Sequence, residues 1–340
     1  MHATHCRTLP VAPPHQALTD QQIFCVLKEH SEARLVTLTA TDSSPEFEEL
    51  IENWICSVKR VGIAPVIWAL DQATHTKLRG RGDAGRGDSV GSVLSEDVRL
   101  TTEDAPNTYK RPSGRQYTSA VALKPRVVSR VLALGFDTLF LDVDVALNQD
   151  PRPWLLRHVT QSASHLQISL NLGNPEGMGK KPIDVNSGVL YVRAEPAALT
   201  MVNLWSNRTA SRFHCSSWSC GDQEQLTRIL KECGWRHIEQ HLPQRQPQPQ
   251  LVLDMTDNVQ QELSCLGHRL RVDALPPRYF SCGSSTSIAL WKSPKSGSAG
   301  DLISFHPTHL GMSSYVKERQ LRSLRPLNRP LWCANTTVHM

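Results

Sequence analysis

No run of about 18 consecutive apolar residues occurs in the 340-residue chain, which excludes a membrane-spanning helix within it. The first ten residues, Met1 to Pro10, lack the basic-then-apolar order of a secretion signal. The start is therefore that of a cytosolic chain or of one whose anchor is missing. No Cys-x-x-Cys pair is present; the nine cysteines are scattered, the tightest spacing being Cys215 to Cys220, which argues against a zinc site. A dense Lys/Arg run is absent too. A net charge of +5 over 340 residues is no nucleic-acid footprint, and it suits an anionic small substrate equally well. Two Asn-x-Thr sequons, at Asn207 and Asn335, bear only on a chain in the secretory pathway.

The most informative stretch present is Gly135-Phe-Asp-Thr-Leu-Phe-Leu-Asp-Val-Asp144. Leu139 to Leu141 reads as a short buried strand that delivers Asp142 and Asp144 at its end. Side chains two apart on an extended segment point the same way. Two acids together make a poor core but a good seat for Mg²⁺ or Mn²⁺, which take oxygen ligands and the phosphates of a substrate. The plain alternative is a pair of acids that cap the following turn.

Around this stretch the periodicity predicts an α/β fold. Ala33–Ala40 alternates like a strand, and Ser44–Arg60 carries Phe47, Leu50, Ile51, Trp54, Ile55 and Val58 at helical spacing. Ala64–Leu70 is a second strand, ending at Asp71. Strand, helix, strand in this order implies a parallel crossover. Thr118–Leu134 reads as a helix, Leu166–Leu172 and Ser187–Arg193 as strands, and Pro196–Trp205 and Cys220–Lys231 as helices. Residues 1–32 are expected to be irregular, 79–114 a flexible insertion of biased composition, and 243–250 a Gln/Pro linker. The two Arg-Gly-Asp triplets, at 81–83 and 86–88, belong to that insertion. In open α/β sheets ligands sit outside the carboxyl ends of the strands.

These residues, in this order, resemble the nucleotide-diphospho-sugar transferase domain of glycosyltransferase family 77, and more distantly the glycogenin-like family 8. The resemblance runs over about residues 33–325, leaving 326–340 as a tail. It is carried by the strand from Thr37 to Asp42, Asn53-Trp-Ile-Cys-Ser57, Ala69-Leu-Asp71, Lys124, and Asp142-Val-Asp144 with Asp150-Pro151. It continues through Asp184-Val-Asn-Ser-Gly188, Gly221-Asp-Gln223, Tyr279-Phe-Ser-Cys-Gly283, and His306 with Gly311 and Lys317. It implies a glycosyltransferase A-type fold: a mostly parallel twisted sheet with helices on both faces. It further implies retaining transfer of galactose, xylose or arabinose from a nucleotide sugar, UDP being the expected nucleotide, to a glycan or glycoprotein in the Golgi lumen. In that picture Asp142, Asp144 and His306 hold Mn²⁺ or Mg²⁺, with His309 the rival histidine. Thr37, Asp71, Lys124, Asp142, Asn186, Gly188 and Lys317 contact the donor, and Asp222 and Gln223 face the anomeric centre. Asp222 is the first candidate for any protein nucleophile, although a helix-capping role alone would account for it.

Two other readings stand beside this one. A haloacid-dehalogenase-like phosphatase also begins with a hydrophobic strand and Asp-x-Asp, making Asp142 its nucleophile and residues 253–257 its distal acids. That motif normally opens its domain, whereas here a whole βαβ unit precedes it. The third reading is a non-catalytic sugar-nucleotide-binding relative, against which stand the acids at 142, 144 and 222.

Overall fold

The computed structural model describes Cys6, residues 16–82, 90–99, 115–171, 184–210, 221–236, 260–277, 279–282 and 302–307, and Lys317, Leu321, Trp332 and Cys333. Within residues 1–32, expected to be irregular, Asp20–Glu29 forms helix α1. Its start signal is legible: the Thr19 hydroxyl accepts from the Gln22 amide, and the Gln22 side chain accepts from the Thr19 amide, a capping box that satisfies donors a helix start leaves open. The next elements follow the expected order, with β1 at Leu35–Thr41, α2 at Pro45–Arg60 and β2 at Val66–Ala69. Helix α3 (Gln72–Gly82) and a short strand β3 (Gly91–Val93) then occupy part of the segment read as a flexible insertion. Strand β3 pairs in parallel with β2, so this part of 79–114 is sheet edge.

Helix α4 (Arg115–Ala133) leads into β4 (Asp137–Leu141) through Gly135. Gly135 has φ +86°, and the Phe136 amide reaches back to the Val131 carbonyl, the left-handed stop that glycine permits. Beyond β4 lie β5 (Ala146–Leu147), α5 (Arg152–Ser162), β6 (Leu166–Asn171), β7 (Asp184–Val192), α6 (Pro196–Ala210) and α7 (Asp222–Glu232). The chain then forms β8 (Gln260–Cys265), β9 (His268–Ala274), β10 (Phe280–Cys282) and β11 (Ser304–His306).

Among the described residues eight strands make one sheet in the order β3-β2-β1-β4-β7-β6-β9-β8, and β10-β11-β5 make a second, small one. The pairs β3/β2, β2/β1, β1/β4 and β6/β9 are parallel. Strand β7 runs antiparallel to both its neighbours, β4 and β6. Alternation along the strands sends side chains to two cores. Val36, Leu38, Phe140, Ile168 and Leu190 pack under α1, α4, α6 and α7, while Leu35, Ile67, Leu139, Leu141 and Tyr191 pack under α2, α3 and α5. The fold is a mixed α/β sheet with helices on both faces.

A third cluster of Leu50, Ala146, Leu302, Phe305, Leu321 and Trp332 joins α2 and the small sheet to the C-terminal residues. Cys333 is bonded to Cys56 on α2, 277 residues away, and its amide donates to Asn53 Oδ1 at 2.6 Å. Further disulfides join Cys6 to Cys25 and Cys233 to Cys265. Closing so long a loop restricts the unfolded chain, so Cys333→Ser should lower stability by about 2–5 kcal/mol. Urea denaturation of Cys56→Ser, Cys333→Ser and the double variant checks this. The double variant should be no worse than either single one; a cost equal to the sum of the two would contradict the pairing.

Candidate active site

Asp142 and Asp144 do not lie on an extended segment. The Val145 amide donates to the Asp142 carbonyl at 2.9 Å, closing a tight turn that sends the chain from β4 into β5. The turn still gathers the two acids, because a third group meets them from β11. One carboxylate oxygen of Asp142, one of Asp144 and a ring nitrogen of His306 all lie within 4.8 Å of one another. His306 Nε2 is 3.1 Å from Asp144 Oδ1 and 3.8 Å from Asp142 Oδ2. Pairing of β11 with β5 and β10 is what carries His306 to this place.

Asp142 continues the alternation of Phe140 and so emerges on the face of α4 and α7. There Lys124 Nζ lies 2.6 Å from Asp142 Oδ1 and 2.9 Å from Asp222 Oδ2, with Phe140 beneath it. Ser187 completes the group. Its hydroxyl donates to Asp222 Oδ2 at 2.8 Å and lies 3.1 Å from Lys124 Nζ, and its amide meets Gln223 Oε1 at 3.4 Å. On the other side, Lys317 pairs with Asp144 Oδ2.

Strand β7 supplies the floor. Its register against β6 jumps from Leu190 opposite Ile168 to Asn186 opposite Ser169, so Ser187, Gly188 and Val189 form an irregularity there. Such bulges re-aim side chains beside functional sites. Asn186 Oδ1 accepts from the Gly188 amide at 2.8 Å and lies 3.0 Å from His306 Nδ1. An amide oxygen can only accept, so Nδ1 carries the proton and Nε2 turns to the carboxylates. Gly188 makes the approach possible: a Cβ there would fall 2.1 Å from His306 Cε1 and 2.2 Å from Nδ1. Gly188→Ala should therefore weaken Mn²⁺ binding by about 10–100-fold, the usual effect of disturbing a ligand's support. Titration followed by electron paramagnetic resonance reads this directly, and an unchanged affinity would refute the fit.

The electrostatics divide the acids. Burial raises the Asp142 pKa, and the Lys124 and His306 charges only partly offset it. Burial pushes Asp144 the same way, but Lys317 and His306 outweigh it and hold that carboxyl below its ordinary range. Burial would lower His306, yet the charge and hydrogen bond of Asp144 push it up to about 10. Lys124 is likewise raised, Asp142 and Asp222 overcoming its burial. Two carboxylates and an imidazole whose Nδ1–H is held by Asn186 Oδ1 are donors that suit a divalent cation. Ligation would require Nε2 to release its proton.

Not every residue expected here joins the cluster. Thr37 lies within β1, in register with Leu139, three positions before Asp142 and thus about 10 Å down the strand. It is buried in the sheet, and β1 reaches the carboxyl edge only at Thr41 and Asp42. Asp71 lies at that edge but spends both oxygens on backbone, accepting from the Ser43 and Thr74 amides at 2.7 Å each. Asp222 is not a helix cap: Gly221 holds the N-cap position, and the Asp222 side chain turns to Lys124 and Ser187. His309, Gly283, Gly311, the loop 173–181, residues 253–257, the linker 243–250 and the second Arg-Gly-Asp triplet lie outside the described residues.

Three contributors carried no role in the sequence reading. Ser187, inside the Asn-Ser-Gly string, links Lys124 to Asp222. Trp205 Nε1 donates to the Asp222 carbonyl at 2.7 Å. Cys282, buried and free, places Sγ 3.8 Å from His306 Nδ1. Ser187, flanked by Asn186 and Gly188, and Cys282, within Tyr279-Phe-Ser-Cys-Gly283, both lie in motif stretches singled out above; Trp205 does not.

Comparison with known proteins adds a family. The nucleotide-diphospho-sugar transferase profile matches residues 64–298. No curated protein matches by sequence. Among solved structures, mouse xyloside xylosyltransferase 1 is similar at 11% identity and a TM-score of 0.43, over 81% of this chain and 98% of that one. The galactosyltransferase LgtC, crystallised with donor and acceptor sugar analogues, is similar at 12% and 0.42, over 83% and 92%. GlyE of Streptococcus pneumoniae is similar at 15% and 0.34, over 58% and 44%.

Proposed function

The chain belongs to the nucleotide-diphospho-sugar transferase family, and from that premise we propose a retaining, divalent-metal-dependent transferase that takes a sugar from a UDP-sugar. The sugar is of the galactose, xylose or arabinose class, and the acceptor is a glycan or glycoprotein. The observation that carries the proposal is the convergence of Asp142, Asp144 and His306, within 4.8 Å, between two lysines.

In this reading Asp142, Asp144 and His306 hold Mn²⁺ or Mg²⁺. The bound cation supplies Lewis-acid neutralisation of the diphosphate as the sugar–oxygen bond breaks. Lys317, freed from Asp144, adds a point charge to the same diphosphate. Asn186 is a positioning residue, since its Oδ1 orients His306; its amide nitrogen faces donor hydroxyls. Lys124 and Ser187 fix Asp222 Oδ2, which leaves Oδ1 to meet the anomeric centre beside Gln223. Asp71 lies at the nucleoside end of the same sheet edge. Thr37 is withdrawn from this role because of its depth in β1.

The phosphatase alternative is set aside by the family match. It would also need Asp142 as a nucleophile, whereas Oδ1 is held by Lys124. The three disulfides among the described residues favour an oxidising compartment, in keeping with the Golgi lumen. No helix among the described residues is long and apolar enough to cross a membrane.

The test is a screen of donor hydrolysis across UDP-sugars with and without Mn²⁺. One sugar should be hydrolysed and the reaction abolished by chelator. Release of phosphate from generic monoesters, with every nucleotide sugar untouched, would overturn the proposal.

A further inference from the structure

We propose that Asn207 carries an N-linked glycan, and that it is attached before helix α6 forms. Asn207-Arg-Thr209 is an Asn-x-Thr acceptor. Asn207 is exposed, while Trp205, two residues earlier, is fully buried and bonded to the Asp222 carbonyl. Two residues turn an α-helix by about 200°. Asn207 thus points away from the catalytic cluster into solvent, where a glycan meets no packed surface of α6. Arg208 fixes this orientation from the side, its guanidinium donating to both Glu232 oxygens on α7 at 2.8 and 2.6 Å.

The second half of the acceptor faces the other way. Thr209 is 1% exposed, and its hydroxyl donates to the Trp205 carbonyl at 2.8 Å. An enzyme that must engage both the amide and the hydroxyl cannot reach them together on the folded helix. The acceptor is complete only in the extended chain, so the modification precedes packing of α6 on α4 and α7. The disulfides Cys6–Cys25, Cys56–Cys333 and Cys233–Cys265 supply the independent observation. They form in the oxidising lumen, the compartment where such transfer takes place. In the transfer, the Asn207 amide nitrogen forms a C–N bond to the anomeric carbon of a lipid-diphospho-oligosaccharide. The anomeric C–O bond breaks, the lipid diphosphate leaves, and the amide gives up one proton.

The experiment is to secrete the full chain from a eukaryotic host and remove glycans with peptide-N-glycosidase in heavy-oxygen water. Peptide mapping then reads each released asparagine as labelled aspartate, separating Asn207 from Asn335. The Asn207 peptide should be labelled. Asn207→Gln should lose one mobility step without change in donor hydrolysis, and Thr209→Ser should keep the step. Folded, unmodified protein should not accept the oligosaccharide from oligosaccharyltransferase in vitro, whereas the reduced, unfolded chain should. An unlabelled Asn207 peptide in secreted, disulfide-bonded protein overturns the assignment. Equal modification of the folded chain overturns its timing.

Discussion

Asp144→Ala is expected to cost about 10³-fold in kcat/KM for donor hydrolysis, several kcal/mol of cation-derived stabilisation being worth that much. The carboxylate is 5% exposed and spends one oxygen on His306 and the other on Lys317. In the proposed reading its removal strips a ligand, and it also leaves His306 and Lys317 as neighbouring cations without their shared acid. The distinguishing measurement is UDP affinity with Mn²⁺ and with chelator. Wild-type affinity should fall on chelation; the variant should bind equally weakly in both. Mn²⁺-dependent affinity that survives in Asp144→Ala would remove Asp144 from the ligand set.

Lys124→Met should have the largest effect on stability. The side chain is 5% exposed and bridges Asp142 and Asp222, which face each other across it. Methionine keeps the volume but leaves the buried Asp222 without its cation and the part-exposed Asp142 with His306 alone, a change worth about 3–5 kcal/mol where one partner of a buried pair is lost. The test is the urea midpoint of Lys124→Met against Lys124→Met/Asp222→Asn. The second variant removes one of the two stranded charges and should recover part of the loss. A single-variant cost below about 1 kcal/mol, the level of a solvent-exposed pair, would mean that Lys124 is not the counter-ion the geometry implies.

Much of this site is written locally in the chain, and the limits are physical. The β4 run and its two acids are legible because strand, turn and acids are contiguous. Lys124, Asn186, Gly188, Asp222 and His306 were assigned by resemblance, and the geometry brings them together. Direction is not legible: Ser187–Arg193 reads as a strand, but nothing in an apolar run says that β7 lies antiparallel between β4 and β6. Nor is the irregularity that aims Asn186 at His306, which arises from register between two strands. Strands β5 and β11 span two and three residues, too short for any period to declare itself. Cysteine pairing across 277 residues is a property of the folded chain alone. Helix α1 is different: its capping signal at Thr19 and Gln22 was present, and the polar surroundings obscured it.

The antiparallel junction of β4 with β7 also sets an order in time. Strands β3, β2, β1 and β4 all precede residue 142, whereas β7, β6, β9 and β8 all follow it. The Asp142 amide donates to the Gly188 carbonyl at 2.8 Å, across that junction. A ribosome delivers the first half early, and domains tend to fold as they emerge. A nascent chain halted before β7 would hold both aspartates and Lys124, yet lack Asn186, Gly188, Asp222, His306 and Lys317. Cation affinity would therefore arrive late in synthesis, with the last strands, rather than with the acids themselves.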